Sequence, residues 1–204
     1  MKRILCVVCS PRGRAAESYR LSQRIIGFLR EREPDSIVIE RMIGWRNIEH
    51  VDEAYAIAQQ SSADLAQGGS FSQSDELIRE LESADVLVIA TPMHNLTVPS
   101  ALKAWIDHVV RVRRTFNVTP DGKVGLLRDR PVFVAVASGG KFSGERARQP
   151  DFLTPYLTAI LGMVGLCDLA FFSIQGTGAG RQAIAEARAR TDQALREHFA
   201  SLLP

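Results

Sequence analysis

Hydrophobic positions fall into two alternating rhythms along the chain. Residues 4–8, 36–40, 86–90, 132–137 and 169–174 carry short runs rich in valine, isoleucine and other apolar residues, as expected of strands covered on both faces in a parallel sheet. Between them, apolar stripes at helical spacing predict helices. Leu21, Ile25, Phe28 and Leu29 line one that begins at Ser18, and Leu77, Ile78 and Leu81 line a second with Ser74 as its N-cap. A third opens at Pro99 and carries Leu102, Trp105, Ile106, Val109 and Val110. Residues 51–58 suit a short helix, and residues 181–203 an amphipathic C-terminal one. Gln67-Gly-Gly-Ser70 reads as a loop, and Thr119-Pro-Asp-Gly122 as the turn of a small hairpin between Thr115 and Leu127.

Strands separated by helices predict an α/β fold, here a five-stranded parallel sheet in the order 2-1-3-4-5 with helices on both faces. This is a flavodoxin-like three-layer α/β/α sandwich, and 204 residues suit a single domain spanning 1–204. Residues 151–165, DFLTPYLTAILGMVG, are apolar almost all round, so this helix is expected to be covered by something beyond its own monomer.

Composition narrows the function classes. Hydrophobic residues at 46% and charged residues at 24% describe a soluble globular protein. The 25 basic and 23 acidic side chains nearly balance, giving no push toward nucleic acid. Cys6 and Cys9 have the spacing of a redox dithiol, but they end a strand, whereas a reactive pair needs its first cysteine at a helix N-terminus. With Cys167 they read as free thiols of a reducing cytoplasm. The apolar run in MKRILCVVCSPRGR is too short for a secretory signal, and no run reaches membrane-spanning length.

Three loops leaving carboxyl strand ends carry the candidate chemistry. The first, Ser10-Pro-Arg-Gly-Arg-Ala-Ala-Glu-Ser18, enters a helix whose free N–H groups and positive dipole suit an anion; the alternative is an ordinary N-capped loop. It has neither a dinucleotide glycine fingerprint nor a Walker lysine. In the second, Pro92-Met-His-Asn-Leu96, the Met93 thioether, the His94 ring and the Asn95 amide suit a flat heteroaromatic ring, and His94 lacks neighbours at metal-ligand spacing. In the third, Ser138-Gly-Gly140, paired glycines allow close backbone approach, although such pairs also serve as plain turns. Together the three describe a mononucleotide site. Gly176-Thr-Gly-Ala-Gly180 lies at the sheet edge and is expected only to turn the chain.

The segments SDELI (74–78), ADVLVIATPMHN (84–95) and LTPYLTAILGMVGL (153–166) resemble the bacterial FMN-dependent NADH:azoreductases, also called FMN-dependent NADH:quinone oxidoreductases. The resemblance covers nearly the whole chain. It implies a flavodoxin-like homodimer with non-covalent FMN at sites shared across the interface. It also implies two-electron transfer from NADH or NADPH to quinones and to azo compounds, whose azo bond is cleaved reductively, by a ping-pong mechanism. Ser10, Ala16, Glu17 and Ser18 would lie at the FMN phosphate, Pro92, Met93, His94, Asn95 and Leu96 at the isoalloxazine, and Ala137, Ser138, Gly139 and Gly140 at its other edge. No side chain is expected to be essential for catalysis, with His94 the candidate to tune the flavin or donate a proton, and no metal is expected. His94 and Leu96 stand where the family commonly has tyrosine and phenylalanine, Ala16 where it has a second serine, and Ser138 where it has arginine. Phosphate binding then leans on backbone groups and Ser18. A flavodoxin-type electron carrier and a flavin reductase are the alternative functions.

Overall fold

The computed structural model describes residues 1–44, 48–60 and 69–201. Its elements are β1 (Arg3–Val8), α1 (Glu17–Arg32), β2 (Ile37–Met42), α2 (Glu53–Gln60), α3 (Gly69–Ser83), β3 (Val86–Pro92), α4 (Ser100–Val109), β4 (Phe116–Thr119), β5 (Gly122–Gly125), β6 (Val132–Ser138), α5 (Leu153–Met163), β7 (Leu169–Gln175) and α6 (Arg181–Ser201). The main sheet is parallel throughout, in the order β2-β1-β3-β6-β7, while β4 and β5 form a separate antiparallel hairpin. With the hairpin set aside, this is the expected 2-1-3-4-5 order.

Side-chain alternation along each strand divides the core in two. Leu5, Val7, Leu87, Ile89, Val134 and Val136 pack with Leu77 and Leu81 of α3, Leu102 and Trp105 of α4, and Leu153 and Leu157 of α5. Their neighbours Ile4, Cys6, Val88, Ala90, Phe133 and Ala135 pack with Leu21 and Ile25 of α1 and Leu195 and Phe199 of α6. Each large apolar side chain buried in this way contributes about 1.5–3 kcal/mol. Strands covered on both sides have no polar face to show, which is why they appear in the sequence as unbroken apolar runs.

The starts of α1, α2 and α5 lie one or two residues from expectation, and those of α3 and α4 differ for reasons visible in the structure. The helix expected to begin at Ser74 begins at Gly69, taking in Gly69 and Ser70 of the expected loop; Gln67 and Gly68 lie outside the described residues. Distant residues hold the additional turn: the Arg111 guanidinium lies 4.4 Å from the Phe71 ring centroid, and the Tyr55 ring lies 6.0 Å from it. Ser74 is therefore internal, and its hydroxyl donates to the His108 carbonyl at 2.7 Å rather than capping. Pro99, extended at φ −69° and ψ 157°, is the N-cap of α4 rather than its first helical residue. The predicted C-terminal helix forms through Ser201, with Leu202 and Leu203 outside the described residues.

Buried Arg130 closes the other end of α3, donating to the carbonyls of Leu81 at 2.6 Å and of Ala84. A cation at a helix carboxyl end complements the dipole, while burial lowers the Arg130 pKa. In α5, Leu153, Leu157 and Leu161 face the core, while Pro155, Thr158 and Ala159 are exposed, as is the preceding Phe152. Among the described residues no helix is long and apolar enough to cross a membrane.

Candidate functional site

The strand order reverses direction at β1, so the loops leaving β1 and β3 diverge and open a crevice at the carboxyl edge of the sheet. The first loop is tied to β3 by the Cys9 amide, which donates to the Ala90 carbonyl at 2.8 Å. Ser10, buried, accepts from the Arg12 amide on its hydroxyl at 3.2 Å and from the Gly13 amide on its carbonyl at 2.9 Å. A short 3₁₀ turn, Gly13–Ala15, then leads to Ala16, which N-caps α1 in an extended conformation without a side-chain capping bond. Alanine has no oxygen for the first-turn N–H groups, so those of Glu17, Ser18 and Tyr19 remain free for an anion. The Ser18 hydroxyl is fully buried and has no hydrogen-bond partner among the described residues.

Charged neighbours hold this loop in place. The Glu17 carboxylate turns to Arg188, with one contact at 2.9 Å, and that hydrogen bond lowers its pKa against the opposing effect of burial. Only the Glu17 backbone is therefore left to serve an anion. Arg14 and the Tyr19 hydroxyl both donate to Glu40 of β2 at 2.8 Å. Burial raises the Glu40 pKa, but those two bonds outweigh it and the net shift is downward.

The second loop continues β3. The Met93 amide donates to the Ala137 carbonyl at 2.8 Å, and Pro92 lies opposite Ala137 in the sheet register. His94 and Thr97 exchange backbone hydrogen bonds at 3.0 Å around Asn95 (φ 47°) and Leu96 (φ 71°), a mirror-image turn of the tight-hairpin kind. Asparagine tolerates that conformation, whereas leucine is strained in it. The Phe152 amide supports the turn by donating to the Leu96 carbonyl at 3.1 Å. His94 and Asn95 are exposed, while Met93 is buried. Among the described residues no group of histidine, cysteine and carboxylate side chains has the arrangement of a metal site.

The third loop meets the second directly. The Ser138 hydroxyl, buried, lies 3.9 Å from Met93 Sδ, and the Gln149 amide nitrogen reaches both atoms at 3.1 Å. Gly139 is open, since a Cβ there would meet nothing within 4 Å. Gly176-Thr-Gly-Ala-Gly180, expected only to turn the chain, also braces this loop. The amides of Gly176 and Gly178 donate to the carbonyls of Gly140 and Gly139 at 3.1 and 3.2 Å, and the Thr177 hydroxyl donates to the Ser138 carbonyl at 3.1 Å. The parallel register of β6 and β7 extends to Ser138 and Gln175, and so brings the two exit turns side by side.

The candidate residues thus divide. Pro92, Met93, Ala137 and Ser138 are joined by direct contacts or sheet pairing, and His94, Asn95, Leu96, Gly139 and Gly140 extend the same two loops. Ser10, Ala16, Glu17 and Ser18 belong to the first loop and the start of α1. Gln149 escaped sequence reasoning because a lone glutamine in a polar loop has no local signature.

Cys6 and Cys9 belong to opposite cores, and burial pushes the Cys6 thiol up to about 12 and that of Cys9 well above its ordinary value. Both thiols stay protonated at neutral pH, the wrong state for redox exchange. Iodoacetamide at mildly alkaline pH should therefore modify exposed Cys167 in the native protein, and Cys6 and Cys9 only after denaturation. Rapid native labelling at Cys6, read by peptide mass, would contradict this assignment.

A family model for the flavodoxin-like fold matches residues 2–199. The FMN-dependent NADH:quinone oxidoreductase 4 of Pseudomonas fluorescens is 46% identical over 196 residues, covering 95% of this chain and 92% of that protein. The corresponding oxidoreductase 2 of Cupriavidus pinatubonensis is 43% identical over 188 residues, covering 91% of each. Among solved structures, an azoreductase from Bacillus anthracis superposes with a TM-score of 0.81 at 22% identity, covering 97% of this chain and 100% of that one. An FMN-dependent NADH-azoreductase from the same species, solved with FMN, gives 0.79 at 21% identity, covering 98% and 100%. Over nearly its full length, therefore, the chain belongs to the flavodoxin-like family of FMN-dependent NADH:quinone oxidoreductases.

Proposed function

We propose that this chain is an FMN-dependent oxidoreductase that passes electrons in pairs from NADH to quinones and to azo compounds. The observation that carries the reading is the Ser18 hydroxyl, buried without a partner among the described residues in an N-terminal helical turn that its alanine N-cap leaves uncapped. A buried hydroxyl lacking a hydrogen bond is costly, and a phosphate oxygen at that helix end would satisfy it. The residues present fit FMN. Ser10, Ala16, Glu17 and Ser18 would hold the phosphate, chiefly through backbone N–H groups and the Ser18 hydroxyl. Pro92, Met93, His94, Asn95 and Leu96 would flank the ring on one side, with Ala137, Ser138, Gly139 and Gly140 on the other. The FMN-dependent NADH:quinone oxidoreductases to which the chain is similar support both the cofactor and the donor.

When bound, FMN supplies the electron-transfer chemistry, and the protein supplies orientation, hydrogen bonding and shelter from water. The open backbone of Gly139 gives close access to a ring edge, and buried Met93 offers it an apolar, polarizable contact. His94, exposed beside its strained turn, would tune the ring or donate a proton without being essential. We take NADPH as a second donor, and donor and acceptor as using one face in turn, a ping-pong scheme whose signature is parallel double-reciprocal lines. The two helix layers are read as a three-layer α/β/α sandwich and the chain as one domain. The exposed side of α5 with Phe152 is the surface proposed to pair in a homodimer, and the buried free thiols favour the cytoplasm.

The test is direct: purify the protein, record a flavin spectrum, and follow NADH and NADPH oxidation with a benzoquinone. Stoichiometric two-electron turnover supports the enzyme. Transfer of single electrons would favour a flavodoxin-type carrier, and release of reduced FMN a flavin reductase. A colourless protein unable to bind added FMN would overturn the reading. His94→Ala should alter the substrate ranking or the pH profile of turnover; if neither moved, His94 would have no tuning role.

A further inference from the structure

Residues 141–150 leave the third loop and return to it. The excursion is closed at its base, where the Lys141 carbonyl accepts from the amides of Arg148 at 2.8 Å and Gln149 at 3.3 Å. Its near side is fixed separately: Gln175 accepts from the amides of Phe142 and Ser143 at 2.8 and 3.1 Å. Gln149 is thus delivered by anchored backbone. Its amide nitrogen lies 3.1 Å from Met93 Sδ and 3.1 Å from the Ser138 hydroxyl, while its carbonyl oxygen lies across Gly140, 2.3 Å from where a Cβ would stand.

A methionine side chain ordinarily samples many rotamers, which is why it fills irregular gaps. Here one amide donor holds the thioether and ties it to the neighbouring loop. We infer that Gln149 is a positioning residue: it pins Met93 against Ser138, and so sets how tightly the ring edge of the flavin site holds its ligand and which quinones fit beside it. The inference rests on reading Met93–Gly140 as a flavin-ring site, but the clasp itself exists without flavin. Gly140 follows from it as well, because any larger residue would displace the Gln149 side chain.

The experiment compares wild type with Gln149→Leu, which keeps bulk and removes the donor. In flavin-free protein, the Met93 methyl signal, assigned by comparison with Met93→Leu, should move from a fixed-rotamer toward an averaged position while the melting temperature stays close to wild type. In the loaded protein, FMN affinity should fall about fivefold, the order of one hydrogen bond, with a shifted flavin absorption band and a changed quinone ranking. In a Met93→Leu background, Gln149→Leu should cost no further FMN affinity, because the two act as one unit. An unmoved Met93 methyl signal, or fully additive losses, would overturn the inference. If the wild type bound no FMN, the flavin reading would fall, while the methyl signal would still decide whether the clasp exists.

Discussion

Ser18→Ala is expected to make the flavin-free protein more stable and FMN binding weaker. The two effects have opposite signs because the hydroxyl is buried with no partner among the described residues of the free protein. Removing an unsatisfied buried hydroxyl recovers part of its desolvation cost, about 1 kcal/mol after the small void left behind. In the complex the same hydroxyl would donate to a phosphate oxygen, and a hydrogen bond to a charged group contributes about 1.5–3 kcal/mol, so FMN affinity should fall about 30-fold. Riboflavin, which lacks the phosphate, should bind both proteins equally. Urea unfolding of the free protein and titration with the two flavins measure all three quantities. Equal losses for FMN and riboflavin would remove Ser18 from the phosphate site, and a destabilised free variant would show that the hydroxyl has an internal partner. Ser10 makes the useful contrast. Its hydroxyl already accepts from the Arg12 amide, so Ser10→Ala should lower stability by about 1 kcal/mol even without flavin.

Ser18 also shows what the sequence made legible. Three strands buried on both faces, β1, β3 and β6, and two less buried edge strands, β2 and β7, alternate with helical stripes, and that alternation sufficed for the sheet and its expected order. The exit loops followed from the strand ends, which brought Ser10, Ser18, Met93 and Ser138 into view. What stayed hidden depends on contacts between distant residues. The first turn of α3 is held by Arg111 and Tyr55 against Phe71, and nothing near Gly69 announces them. Gln149 acts through Met93, 56 positions away, so its role exists only after folding. The loop at Gly176 looked like a simple turn because its use, bracing Ser138 to Gly140, comes from the register of β6 with β7.

Gly44 belongs to the same hidden class, and Gly44→Ala should have the largest effect of any single methyl added at the site. It follows β2, and its amide shares the Val8 carbonyl with that of Ile43, at 3.1 and 2.9 Å. A Cβ there would stand 2.3 Å from the carbonyl carbon and oxygen of Ser10 and 2.5 Å from the carbonyl carbon of Cys9. Those are backbone atoms at the root of the Ser10–Ser18 loop, tied to Ala90 through the Cys9 amide, so no side-chain rotation relieves the overlap. The chain must separate β2 from the loop or displace Ser10, at about 3 kcal/mol, a large share of the 5–15 kcal/mol that ordinarily stabilises a domain. Gly140→Ala meets only the far end of Gln149, a flexible side chain, and should cost about 1 kcal/mol or less. Gly139→Ala meets nothing within 4 Å and should leave flavin-free stability unchanged. Urea midpoints ranked Gly139→Ala above Gly140→Ala above Gly44→Ala would bear this out. The Gly44 variant should lose FMN affinity together with stability, since it alone moves the Ser10–Ser18 loop, whereas any loss of FMN in Gly139→Ala should come without a loss of stability. Wild-type stability in Gly44→Ala would mean that β2 and the Ser10 loop yield freely, and that the anion site is shaped on binding rather than built beforehand.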